Sequence, residues 1–129
     1  FVDHAGVVPD AVPGSLHAVE HGAIGMLPLF AICDRWDVGG LSTEWLADTN
    51  SPTIVIHDSY PGGAGMAEMA FESASRHLPA TLDVVQTCRC DDGCPRCVQS
   101  PKCGNGNEPL DKTGAIAMLD AMCRTGFTE

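Results

Sequence analysis

Five cysteines within 16 residues constrain this chain more than any other feature. The segment CRCDDGCPRCVQSPKC places Cys88, Cys90, Cys94, Cys97 and Cys103 in one short, Pro- and Gly-punctuated stretch. Cys94 and Cys97 form a C-x2-C pair, the spacing that lets two thiolates grip one tetrahedral ion from a tight turn. Gly93 just before them permits the bend. Two further thiolates complete a closed four-sulfur site, and soft sulfur donors in a tetrahedron select zinc. Five candidates compete for four places. Cys94, Cys97 and Cys103 are the preferred ligands, and Cys88 and Cys90 compete for the last position, because a C-x-C pair seldom aims both sulfurs at one ion without strain. One structural zinc is expected, with no open position for a catalytic water.

The remaining cysteines, Cys33 and Cys123, stand alone. An odd total of seven, with five so tightly packed, suits a disulfide framework poorly. No stretch has the basic and apolar pattern of a secretory signal, and none approaches the roughly 20 apolar residues of a membrane span. A length of 129 residues, with 44% hydrophobic and 19% charged side chains, provides one globular core and excludes a disordered chain. Residue 1 is Phe, which implies an excised piece of something longer.

Charge is unevenly distributed. The net charge is −10, so contact with a nucleic-acid backbone requires a local basic patch. Residues 1–87 hold 11 acidic and two basic side chains, whereas 88–112 hold four of each. Arg89, Arg96 and Lys102 lie on the cysteine segment itself, where phosphate or a neighbouring domain could be met, although their alternation with Asp91 and Asp92 argues for a mixed, solvated surface instead. The aromatic residues are not interleaved with basic ones, so a base-stacking platform is unsupported.

Periodicity predicts a mostly helical α+β domain. Leu16, Val19, Ala23, Met26, Leu27 and Phe30 recur at helical spacing, predicting a helix over 16–31, with Ser15 as N-cap and a kink near Pro28. Asp34 to Asn50 reads as loop. Thr53–His57 reads as a buried strand, followed by helices over 65–77 and 80–87, the zinc loop over 88–103, and a closing helix over 115–123.

Two weaker constellations stand beside the cysteines. His17, Glu20 and His21 match H-x-x-E-H, in which a helix places both imidazoles on one face and the carboxylate could serve as general base. A zinc-dependent hydrolase built on it needs a third ligand, for which Glu68 and Glu72 are candidates; the bland alternative is packed helical histidines. Gly62, Gly63 and Gly65 between a strand and a helix could present backbone amides to an anion, or merely make a tight turn. Asp58 just before them could orient that loop or cap the helix, and could equally be an exposed carboxylate.

Three runs taken together, GSLHAVEHGAIGMLPLFAICDRWDVGG, HDSYPGGAGMAEMAFE and CRCDDGCPRCVQSPKCGNGNEPLDKTGAIAML, resemble the C-terminal zinc-binding region of MrfA-type DEAD/DEAH-box helicases of superfamily 2. The resemblance covers about residues 13–123. It implies that the whole of 1–129 is an accessory domain of an ATP-dependent 3′-to-5′ DNA helicase linked to DNA repair. Its partners would be the motor domains of the same polypeptide and, through the full-length enzyme, DNA. ATP and Mg would be bound only by the parent enzyme, which would be cytoplasmic and nucleoid-associated, with no membrane partner. No G-x-x-x-x-G-K-[ST] phosphate loop and no Asp-Glu-Ala-His-type box occur here, so no catalytic residue and no motor activity are expected of this piece. The alternatives are the H-x-x-E-H hydrolase and an acidic protein-interaction module.

Overall fold

The computed structural model describes residues 5–31, 36–59 and 65–125, and its architecture is organised by one helix that water barely reaches. Helix α1 runs from Val12 to Met26, and every residue from Gly14 to Ile24 is buried. A helix covered on all sides belongs at the centre of a domain. Gly14, Ser15, Ala18, Gly22 and Ala23 keep its surface low, so neighbours approach closely. Short 3-10 turns flank it at Pro9–Ala11 and Leu27–Leu29.

The helix starts earlier than periodicity suggests, and Ser15 lies in its first turn, where Oγ donates to the Ala11 carbonyl at 2.6 Å rather than capping an amide. Pro28 ends the regular helix as expected, converting it into the tighter turn.

Strands β1 (Val38–Leu46) and β2 (Ser51–Asp58) form an antiparallel hairpin, with Val38 opposite Asp58, Leu41 opposite Val55 and Thr43 opposite Thr53. The expected strand is the middle of β2. Its partner falls where a loop is predicted, because the glycine pair and polar residues of β1 carry little strand propensity. The glycines have a steric purpose. A Cβ at Gly40 would lie 2.6 Å from the Glu20 carboxylate, and one at Gly39 would lie 2.6 Å from the His57 ring.

Helix α2 spans Met66–Thr87 without interruption, although Pro79 suggests two helices. Packing on both sides of the proline outweighs its lost backbone bond. His77 Nε2 donates to the Ala23 carbonyl at 2.7 Å, Thr81 is fully buried, and Val85 enters the core. Helix α3 (Lys112–Thr125) begins at Asp111, whose carboxylate accepts from the Gly114 amide at 2.7 Å, a side-chain cap.

The main core joins Leu16 and Val19 of α1, Val85 of α2, Ala115, Met118 and Leu119 of α3, and Cys97 and Val98 of the cysteine segment. A smaller cluster gathers Ile24, Leu27, Ala31 and Val38 under Ile56, Met66 and Met69. Among the described residues, three α-helices, a two-stranded sheet and a Cys-rich loop make the expected α+β class.

Two outcomes follow. At the α1–α3 crossing, a Cβ on Gly114 would sit 1.7 Å from Ser15 Oγ. Gly114→Ala should therefore cost about 1–3 kcal/mol through overpacking, measured by denaturant unfolding, with Ser15→Gly restoring part of the loss. Burial holds the His77 pKa below its ordinary 6.5, against the opposing hydrogen bond to Ala23. The depressed folded value means that His77 adds stability above the unfolded pKa, and this is lost as pH falls through the folded value. Between pH 7 and pH 5 the wild-type chain should lose more unfolding free energy than His77→Gln.

Candidate metal centre

Cys88 follows the last turn of α2, its amide still bonded to the Val84 carbonyl, and leaves the helix in extended conformation (φ −64°, ψ 131°). In extended backbone, residues i and i+2 face the same side, so Cys88 and Cys90 aim together. Gly93 takes φ +117°, and a Cβ there would lie 2.5 Å from Val98. A turn then closes on the Cys94 carbonyl, which accepts from the amides of Cys97 (3.0 Å) and Gln99 (3.1 Å).

The four sulfurs of Cys88, Cys90, Cys94 and Cys97 lie within 4.8 Å of one another. The Sγ separations are 3.6 Å for Cys88–Cys90, 3.5 Å for Cys88–Cys94, 3.5 Å for Cys90–Cys97 and 3.9 Å for Cys94–Cys97. Tetrahedral zinc with Zn–S bonds of about 2.3 Å separates its sulfurs by about 3.8 Å. The group fits a zinc ion, and with four sulfurs facing inward it would be a closed site of the structural kind.

Cys103, ranked from spacing ahead of Cys88 and Cys90, is elsewhere. Asn107 fastens to Ser100 through both its side-chain atoms, accepting from the Ser100 amide at 2.6 Å and donating to its carbonyl at 3.0 Å. The loop so formed carries the Cys103 sulfur to 3.5 Å from His17 Nε2. Cys88 leaves the helix extended, and the Cys88 and Cys90 sulfurs lie 3.6 Å apart, so the C-x-C pair does bring both thiols together.

Lys112 is the functional side chain that spacing did not single out. It is 8% exposed, and its ammonium donates to the carbonyls of Cys88 (2.8 Å) and Cys90 (2.6 Å) and lies 3.3 Å from Cys90 Sγ. A cation at the first position of a helix opposes the macrodipole, a mismatch that shows only once the structure starts the helix at Lys112 rather than at 115. Burial works to lower the Lys112 pKa, but the Cys90 hydrogen bond and the thiolate charges outweigh it and raise the value. Burial likewise works to raise Cys90, yet hydrogen bonds from Cys97, Lys112, Cys88 and Cys94 bring it down to about 6. Cys97, set into the core, is pushed up to about 12, first by burial. Without a cation the cluster therefore favours thiolate at Cys90 and thiol at Cys97.

The basic residues of the loop divide. Arg89 and Arg96 are exposed, whereas Lys102 donates to the Val38 carbonyl and lies 5.7 Å over the Trp36 ring. Gly62 and Gly63 lie outside the described residues. Gly65 precedes α2 with φ +81°, and Asp58 caps the helix, its Oδ1 accepting from Met66 at 2.9 Å and Ala67 at 3.3 Å. A phosphate at those amides would meet a carboxylate already in place.

α1, the β hairpin and the segment carrying Cys103 line a half-open cleft of about 580 Å³, with His17, Glu20, His21, His57, Lys102 and Cys103 among its walls. Burial raises the Glu20 pKa above 4.5, against a hydrogen bond from Ser42 and the charges of His17, His57 and Lys102. Glu68 and Glu72, the sequence-based third ligands, are exposed on α2 and do not join His17 and His21; Cys103 does.

Comparison with known proteins is consistent across sequence and structure. The family model of the MrfA Zn-binding domain matches residues 19–98, a span holding the four clustered cysteines and excluding Cys103. The uncharacterized protein MJ1572.1 of Methanocaldococcus jannaschii is 39% identical over 110 residues, covering 83% of this chain and 98% of that protein. The ATP-dependent helicase HRQ1 of Saccharomyces cerevisiae is 30% identical over 92% of the chain, and the ATP-dependent helicase YprA of Bacillus subtilis is 41% identical over 57%. The chain spans only 12% and 10% of those two helicases. The crystal structure of the DUF1998 helicase MrfA bound to DNA superposes with a TM-score of 0.72 at 30% identity, over 89% of this chain and 15% of that one.

The uneven charge of the cluster is directly measurable. In the metal-free chain at pH 7, iodoacetamide should modify Cys90 before Cys97, since the thiolate is the reactive form. Lys112→Met should slow the Cys90 reaction by roughly twofold, because a rise of about one unit from about 6 takes the thiolate at pH 7 from about nine-tenths of the population to about half. Peptide mass spectrometry reads both rates.

Proposed function

Because the chain belongs to the family of MrfA Zn-binding domains, we propose that it is the zinc-held accessory domain of an ATP-dependent 3′-to-5′ DNA helicase engaged in DNA repair. Zinc is held by Cys88, Cys90, Cys94 and Cys97. The observation that carries this assignment is the near-tetrahedral set of sulfur separations, 3.5–3.9 Å, within the span the family model matches.

The role of the metal is mechanical. Zinc ties the end of α2 to a loop whose Cys97 and Val98 reach the main core, and Lys112 ties the same loop to α3. Structural zinc contributes about 10–16 kcal/mol in small zinc domains, comparable to the whole net stability of about 5–15 kcal/mol of a typical domain. The domain so held braces the motor domains or guides the translocating strand. The motor lies in the same polypeptide, as the small share of HRQ1 and YprA that the chain spans suggests. Arg89 and Arg96, exposed beside the cluster, are the residues best placed to meet phosphate. ATP and Mg serve the motor and not this domain.

The archaeal relative, of which the chain covers 98%, favours a second reading in which the same domain serves a motor carried on a separate polypeptide.

In the motor-bearing protein, Cys94→Ser with Cys97→Ser should remove the zinc, unfold this domain and abolish strand separation while leaving the motor's nucleotide-binding site intact. Elemental analysis, limited proteolysis and an unwinding assay check the three effects. Full unwinding by a soluble, metal-free double variant would overturn the assignment.

A further inference from the structure

His17, His21 and Cys103 form a second cluster, distinct from the four cysteines, in which one nitrogen from each ring and the sulfur all lie within 4.8 Å of one another. His17 and His21 stand one helical turn apart on α1 with ring centroids 4.2 Å apart, and both are buried. The His17 Nε2 to Cys103 Sγ distance is 3.5 Å. A tetrahedral zinc with Zn–N of about 2.05 Å and Zn–S of about 2.3 Å separates nitrogen from sulfur by about 3.6 Å.

The outer contacts fix which nitrogens are donors. His17 Nδ1 lies 2.8 Å from the Pro109 carbonyl and His21 Nδ1 lies 2.8 Å from the Val98 carbonyl. A carbonyl oxygen only accepts, so each Nδ1 carries the proton and each neutral ring keeps its lone pair on Nε2. A histidine whose far nitrogen is anchored to a carbonyl is the usual arrangement around a bound metal. The loop carbonyls account for the burial of both rings and fix each in the tautomer that a metal site ligated through Nε2 requires.

The geometry points to a second metal site, in which His17 Nε2, His21 Nε2 and Cys103 Sγ take one divalent ion of the zinc class and leave the fourth position to the cavity. Imidazole and thiolate together select zinc and its borderline neighbours over magnesium or calcium. Three protein ligands and a cavity-facing fourth place distinguish this site from the closed four-sulfur one. The Val98 carbonyl that orients His21 follows Cys97 directly, so the loop that closes the first site also positions the second.

The site does not depend on the helicase assignment, and its test is metal stoichiometry. The reduced, metal-free chain is titrated with Zn²⁺ or Co²⁺, the bound metal is counted by native mass spectrometry, and each cysteine is mapped by alkylation. The wild-type chain should take two ions, and zinc should slow Cys103 alkylation by roughly tenfold or more, since a metal-bound thiolate is withdrawn from attack. Cys103→Ser and His21→Gln should each reduce the count to one while the four clustered cysteines stay protected. The Co²⁺ charge-transfer band of Cys103→Ser should lose only the contribution of a single thiolate. Saturation of the wild-type chain at one ion with Cys103 freely alkylated would overturn the site, as would two ions in Cys103→Ser. If one ion binds and Cys103 is the protected thiol, the second site stands and the four-sulfur site is the one that fails.

Discussion

The domain depends on a single join, the insertion of Cys97 and Val98 into the core shared by all three helices. Residues 88–111 contain no helix or strand, and their Gly-, Pro- and Asn-rich composition cannot bury enough apolar surface to offset the entropy of ordering them. Val98, wholly buried, is the loop's chief apolar anchor. It can occupy its place only if the chain turns sharply at Gly93, and the four sulfurs converge around that turn. Zinc held by the four cysteines would couple metal binding to core completion, because the turn they surround delivers Val98 into the core with Leu16, Val85 and Leu119.

The polar residues of α1 follow from the same join. A central helix ordinarily excludes His and Glu, because burying polar groups without partners costs several kcal/mol each. Here the loop supplies carbonyls to both His17 and His21, β1 supplies Ser42 to Glu20, and among the described residues no fully buried side-chain nitrogen or oxygen lacks a partner. The loop is thus held at one end by sulfur and along its length by hydrogen bonds to the helix it covers. Lys112 adds the third attachment, from α3.

Much of this was legible in the residues. The α+β class, the central part of α1, the core of β2 and the location of the sulfur cluster all follow from periodicity and spacing. What could not be read shares one cause, that a tertiary contact overrides a local preference. β1 is a strand because β2 pairs with it and because Gly39 and Gly40 leave room for His57 and Glu20, features invisible along a single segment. Pro79 sits inside α2 because His77, Thr81 and Val85 hold both sides of it. Cys103 lies with the histidines because Asn107 folds the chain back, and counting residues between cysteines cannot see that fold.

Charge limits how such a domain can meet a polyanion. The chain carries −10 overall, and four thiolates around a divalent ion would bring a further net −2 to the loop, only partly offset by Lys112. Two of the four basic residues between 88 and 112 are turned inward, Lys112 to the Cys88 and Cys90 carbonyls and Lys102 to the Val38 carbonyl. Arg89 and Arg96 remain outward, too few to hold DNA by counterion release alone, where affinity grows with each phosphate neutralised. Affinity of this surface for a polyanion would therefore rest on those two arginines, against the negative charge of the rest of the chain.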